Sequence, residues 1–203
     1  MRATAHARAV FPLLVIFASS ASAGQQQDVA DLISRAKPVC EMASLVARPA
    51  DGWHSVPFEA PPTGHRGCQM LRINDADQLV GILRVRSATA PTDAFTEEGY
   101  ARLLANEVSA VEAMGVVFDE TPLWVRNEVP VTGAGFREGR AVGFPARIES
   151  SGLAQEVHFL VFRADKAKCI FSLVTPAQAV EQAEYDRNVR DFGIVIRTLQ
   201  PAP

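Results

Sequence analysis

Three cysteines, Cys40, Cys68 and Cys169, are the side chains here with the widest chemical reach. A thiolate can attack an electrophile or hold a metal, and two thiols in an oxidising compartment become a bridge. Cys40 lies among helix formers in residues 37–43, KPVCEMA, with no base beside it to lower its pKa, so nucleophilic catalysis there is disfavoured. One bridge and one leftover thiol is the arithmetic of three cysteines, with pairings 40–68, 40–169 and 68–169 open. The pairing Cys40–Cys68 is favoured, because it would tie the N-terminal segment to the first hairpin and contribute about 3–4 kcal/mol on the chain-entropy model. Cys169 sits in KCIFSLV, a buried-strand pattern in which a thiol behaves as a small hydrophobe.

Metal and cofactor chemistry finds little purchase. His65 and Cys68 stand three apart in HRGC, but His54 and His158 are isolated, so no second pair completes a zinc set. Residues 74–77, NDAD, lack the glycine and terminal glutamate of a calcium loop and read as a hairpin turn. The glycine-rich run 132–140, TGAGFREGR, has Glu138 where G-x-G-x-x-G needs glycine, and it leads into a strand instead of a helix N-terminus. Arg137, Arg140 and Arg147 around that run are the cations nominated for an anionic or protein partner; ordinary solvated arginine is the plainer reading. There is no G-x-S-x-G elbow, and Ser150-Ser151-Gly152 has no partnered base in view. Trp53 and Trp124 suit cores and interfaces alike. No catalytic, cofactor-binding or metal-binding residue is assigned.

The start of the chain supplies an address. Arg2 and Arg8 precede a short apolar run from Val10 to Ala18, and Ala21-Ser22-Ala23 follows as a small-residue cleavage site. That order predicts a secretory signal peptide over 1–23, cut before Gly24, and a soluble product in the periplasm or outside the cell. Losing Arg2 and Arg8 lowers Lys+Arg from 20 to 18 against 23 Asp+Glu, a net charge of −5. A mildly acidic, unpatterned chain argues against nucleic acid and anionic membrane as partners, and no later stretch is apolar and long enough for a span.

The elements that must position these residues can be read from periodicity. Residues 24–50 form a helical arm in this reading, with Val29, Leu32, Ile33, Ala36, Cys40, Ala43 and Val46 near one face and Pro38 as a kink. Residues 51–203 form a single domain. CQMLRI and QLVGILRVR make a hairpin, and a helix follows with Thr92 or Thr96 as N-cap, the stripe Tyr100, Leu103, Leu104, Val108, Val111 and Met114, and Gly115 at its end. Four strands come next: LWVRNEVPV and REGRAVGFPARIES, placed toward sheet edges by Pro130 and Pro145, then QEVHFLVFRA and KCIFSLVTP, apolar on both faces. A closing helix has Pro176 in its first turn and Tyr185, Val189, Phe192, Ile196 and Leu199 buried. Short links between successive strands require antiparallel pairing. The class expected is α+β, an antiparallel sheet covered by helices on both faces (an α/β/α sandwich), with the N-terminal helical arm added.

The hairpin, the long helix, the meander ending FLVFRADKAKCIFSLVTP and the closing FGIVIRTL resemble the PsbP-like fold family, over roughly residues 53–199. The resemblance implies an antiparallel sandwich serving as a binding or accessory module, and it carries no functional residue across. The function expected is therefore an exported, non-catalytic binding or accessory protein of the cell envelope with a protein partner. The alternative is a periplasmic hydrolase or thiol-dependent enzyme using the unpaired cysteine.

Overall fold

A computed structural model describes residues 39–40, 45–46, 52–56, 65–89, 96–129, 136–164 and 167–198. Among the described residues, ten strands and two helices run in the order β1 (Val39–Cys40), β2 (Leu45–Val46), β3 (Trp53–Val56), β4 (His65–Ile73), β5 (Leu79–Thr89), α1 (Glu97–Glu112), β6 (Val116–Phe118), β7 (Trp124–Arg126), β8 (Phe136–Ile148), β9 (Ala154–Ala164), β10 (Ala167–Pro176) and α2 (Gln182–Thr198). Eight strands form one antiparallel sheet, β3-β4-β5-β10-β9-β8-β6, with β7 also on β8. The class is α+β. No helix among the described residues is long and apolar enough to cross a membrane.

Local chemistry explains most boundaries. The NDAD turn between β4 and β5 is closed by Asn74, whose Oδ1 accepts from the amides of Ala76 (3.0 Å) and Gln78 (2.9 Å), while Asp77 takes φ +56°. Thr96 caps α1, its Oγ1 accepting from Gly99 N at 3.1 Å, with Glu97 and Glu98 at the positive end of the helix. Gly115, at φ +84°, turns the chain from α1 into β6.

Pro145 lies within the 13-residue β8, which has β9 on one side and β7 and β6 on the other. β7 pairs with Ala141 to Gly143 and β6 with Ala146 to Ile148, so Pro145 falls in the gap between them. Its carbonyl accepts from Asp119 N at 3.0 Å. In a strand the nitrogen faces the same way as the carbonyl, so the missing N–H removes no bond to β9. The proline thus marks the last-but-one strand, not the edge itself.

Strands β9 and β10 are apolar on both faces because each face meets a different helix. Met70, Leu83, Leu160, Phe162, Phe171 and Leu173 pack with Val189 and Phe192 of α2. Leu71, Ile82, Val142, Val157, Phe159 and Val174 pack with Leu104, Val108 and Val111 of α1. Neighbours such as Leu173 and Val174 go to opposite clusters, as a two-residue period requires.

Two expectations need correction. The helical spacing read through Cys40 and Val46 gives way to a small antiparallel pair, Val39↔Val46 and Cys40↔Leu45; the rest of the arm and the signal segment lie outside the described residues. Pro176 ends β10 and does not open α2, which begins six residues later. Residues 116–118, which carry no element in the sequence reading, form β6, and Gly115 ends the helix as expected.

Candidate functional site

Of the arginines nominated from sequence, Arg140 and Arg147 lie on different faces of β8. Arg140 holds Glu97 in a two-pronged pair, NH1 to Oε2 at 2.7 Å and NH2 to Oε1 at 2.6 Å, and lies 5.1 Å from the centre of the Tyr100 ring. It fastens β8 to the start of α1, and the guanidinium holds the Glu97 carboxyl below its ordinary value. Arg147 is exposed and stands 3.4 Å from Asp119. The two are seven positions apart on one strand, so they point to opposite faces. The side chain of Arg137 lies outside the described residues, as do those of His65 and Cys40.

The cysteines divide clearly. Cys68 is disulfide-bonded. Cys169 is a free thiol, 2% exposed, and burial pushes its pKa up to about 12. Among the described residues no group of three or more His, Cys, Asp or Glu could hold a metal ion.

Three polar groups inside the molecule were not signalled by any motif. Under α1, the fully buried Glu107 faces two guanidiniums of β5, Arg84 at 3.3 Å and Arg86, and accepts from Ser172 Oγ of β10 at 2.8 Å. Burial lowers the pKa of Arg84, against the pull of Glu107. These residues meet because Arg84 pairs with Ser172 across the sheet, and α1 lays Glu107 over both.

Under α2, the buried Arg72 of β4 donates to Glu184 Oε2 (2.5 Å) and Asn188 Oδ1 (2.8 Å). Asn188 in turn donates to Val80 O (2.6 Å) and Thr175 Oγ1 (3.0 Å). A β-carbon at Gly81 would sit 2.9 Å from Asn188 Nδ2, so this approach of helix to sheet needs glycine there. Trp53 Nε1 donates to Asp191 Oδ2 at 3.0 Å.

The third group joins β9 to the start of α2. Glu156 Oε2 stands 3.3 Å from His158 Nε2, Glu156 Oε1 accepts from Gln178 N at 3.0 Å, and Tyr185 is also hydrogen-bonded to the carboxylate. The His158 ring meets Trp124 and Tyr185 edge-on, with centres 5.3 and 5.8 Å away. The side chain of His158 is 7% exposed, which shuts it from bulk substrate. The bond from His158, ahead of those from Gln178 and Tyr185, holds the Glu156 carboxyl below its ordinary value. A depressed carboxylate stabilises the fold above its unfolded pKa, about 4.3, and that contribution is lost as pH falls through the folded value. Glu156→Gln is therefore expected to lose stability at neutral pH and to converge on wild type in acid. Urea titrations at pH 7 and below pH 4 check this, and a constant difference between the two proteins would contradict it.

At the far side of the sheet, β7 and the residue before it carry apolar side chains into solvent. Leu123 is 51% and Val125 56% exposed. Between them Trp124 turns inward against Gly143, where a β-carbon would come within 2.5 Å of the indole Nε1. Arg126 lies 6.0 Å from the centre of the Trp124 ring. Among the described residues β7 pairs with β8 alone, leaving its outer edge without a strand.

No family model matches the chain, and no curated protein matches it. Among solved structures, a Bacteroides thetaiotaomicron protein is 12% identical with a TM-score of 0.40, covering 75% of this chain. This chain spans 42% of that protein's length. A Pseudomonas aeruginosa protein of unknown function is 14% identical with a TM-score of 0.41, covering 73% of this chain and 90% of its own. Neither likeness brings a function with it.

Proposed function

We propose that the chain is an exported, soluble, non-catalytic binding or accessory protein of the bacterial cell envelope that acts through protein–protein contacts. The observation that carries this reading is the exposed pair of Val125 on the outer strand β7 and Leu123 immediately before it. An edge strand offers main-chain groups to an incoming strand, and apolar side chains beside them offer area to bury. The leader pattern of residues 1–23 supports export.

In this reading the sheet with α1 and α2 is an α/β/α sandwich of the PsbP-like kind, supported by the division of the core into two clusters with one helix each. The bridge joins Cys40 to Cys68, the pairing left once Cys169 is set aside as the free thiol. The free thiol also weighs against the thiol-enzyme alternative: a nucleophile needs its thiolate, and burial disfavours it at Cys169.

Capture from periplasmic extract tests the proposal. Wild-type bait should recover a partner in near-equal amount, and bait carrying Leu123→Asp and Val125→Asp should lose it while keeping its circular dichroism. In the same material Cys169 should resist alkylation until denaturant is added. A bait that recovers no partner and instead turns over a substrate would overturn the reading, as would rapid native labelling of Cys169.

A further inference from the structure

β6 and β7 lie end to end along the outer side of β8, pairing with Ala146 to Ile148 and with Ala141 to Gly143. Gly143 makes room for Trp124 there: a β-carbon would meet the indole at 2.4 Å. With Trp124 turned inward, the two-residue alternation sends Leu123 and Val125 to the other face, and both are more than half exposed. Arg126, over the Trp124 ring, shares the face of that ring and leaves the apolar one to Leu123 and Val125. A strand with one neighbour turns the amide and carbonyl of every second residue outward. Pro122 has no N–H to offer and closes this stretch at one end, while residues 123–129 contain no proline. Glu120 and Glu128 are exposed on either side of β7 and pair with no cation among the described residues, whereas Asp119 stands 3.4 Å from Arg147.

We propose that what binds at β7 is an extended segment that adds to its outer edge as a further strand, apolar at alternate positions and basic at both ends. The inference rests on β7 being the contact and adds the chemistry of the segment bound there. Main-chain bonds to the outward groups of β7 hold the segment, and its alternate apolar side chains cover Leu123 and Val125. A cation at each end faces Glu120 and Glu128, which repel an acidic segment. Such a contact selects a pattern of side chains and not one sequence, because amide and carbonyl groups are common to nearly all residues.

Fluorescence anisotropy with the full chain and a blocked, dye-carrying peptide, Lys-Val-Thr-Val-Thr-Val-Lys, tests this. The peptide should bind wild type. The same peptide N-methylated at each valine and threonine keeps its side chains and should bind about tenfold or more weakly, since several main-chain bonds are lost. Exchanging both lysines for glutamate should weaken binding about fivefold, and Glu120→Gln with Glu128→Gln should shrink that difference. Equal binding of the free and methylated peptides would overturn the proposal, as would indifference to the end charges or no binding of the lysine peptide to folded wild type. A wild-type dimer that Val125→Asp dissolves would also overturn it, giving the edge to a second copy. The reading of β7 as the contact fails separately, if bait carrying Leu123→Asp and Val125→Asp still captures the partner.

Discussion

Replacing Glu107 by alanine is expected to cost about 3–5 kcal/mol of folding stability, because it removes the carboxylate that two buried guanidiniums face. The side chains of Arg84 and Arg86 are 8% and 16% exposed, so water cannot replace the lost anion without opening the contact between α1 and the sheet. The ion group itself need not be a net source of stability. Exchanging Arg84, Arg86 and Glu107 together for apolar residues of similar volume should be neutral or stabilising, by up to about 4 kcal/mol, since no charge then stays inside. Urea denaturation of the single and triple variants separates these outcomes. A loss below about 1 kcal/mol in the single variant would mean that the buried charges are compensated otherwise.

Phe171→Ala should cost a similar amount, about 3–5 kcal/mol, by a different route. Phe171 is 0% exposed and meets Phe162 of β9 and Phe192 of α2 edge-on, with ring centres 5.6 and 6.5 Å away. Its removal opens a void at the junction of two strands and a helix, and rigid strands on either side limit collapse. The measured effect should be insensitive to pH and salt, unlike that of Glu107. A strong salt dependence would mean that the loss passes through the ion pairs.

The parts of the fold legible in the sequence are those whose signal is local. Thr96 with acidic residues behind it, the stripe from Tyr100 to Met114 and the Asn74 turn each specify their own element. So do the two-faced runs of β9 and β10, whose apolar neighbours require cover on both sides. β6 escaped because three residues after a glycine carry no period of their own, and their strand form comes from pairing with β8. The alternation Leu83-Arg84-Val85-Arg86 is that of a strand with one wet face, yet both arginines are covered. What covers them is a glutamate more than 20 positions later, and no local pattern announces that meeting. Glu156, His158 and Tyr185 were equally silent, since a strand and a helix bring them together across a turn. Two of the arginines chosen around the glycine-rich run part company for the converse reason. Nearness in sequence is not nearness on a face, and an odd spacing along β8 sends Arg140 and Arg147 apart.

That β7 is where this protein meets its partner is tested most directly by a titration. The recovered partner, purified, should bind wild type with a single affinity, and Val125→Asp should weaken the dissociation constant by about 30-fold or more, as loss of a buried anchor does. Equal affinities for wild type and the variant, with both chains folded, would show that the contact lies elsewhere and contradict the account.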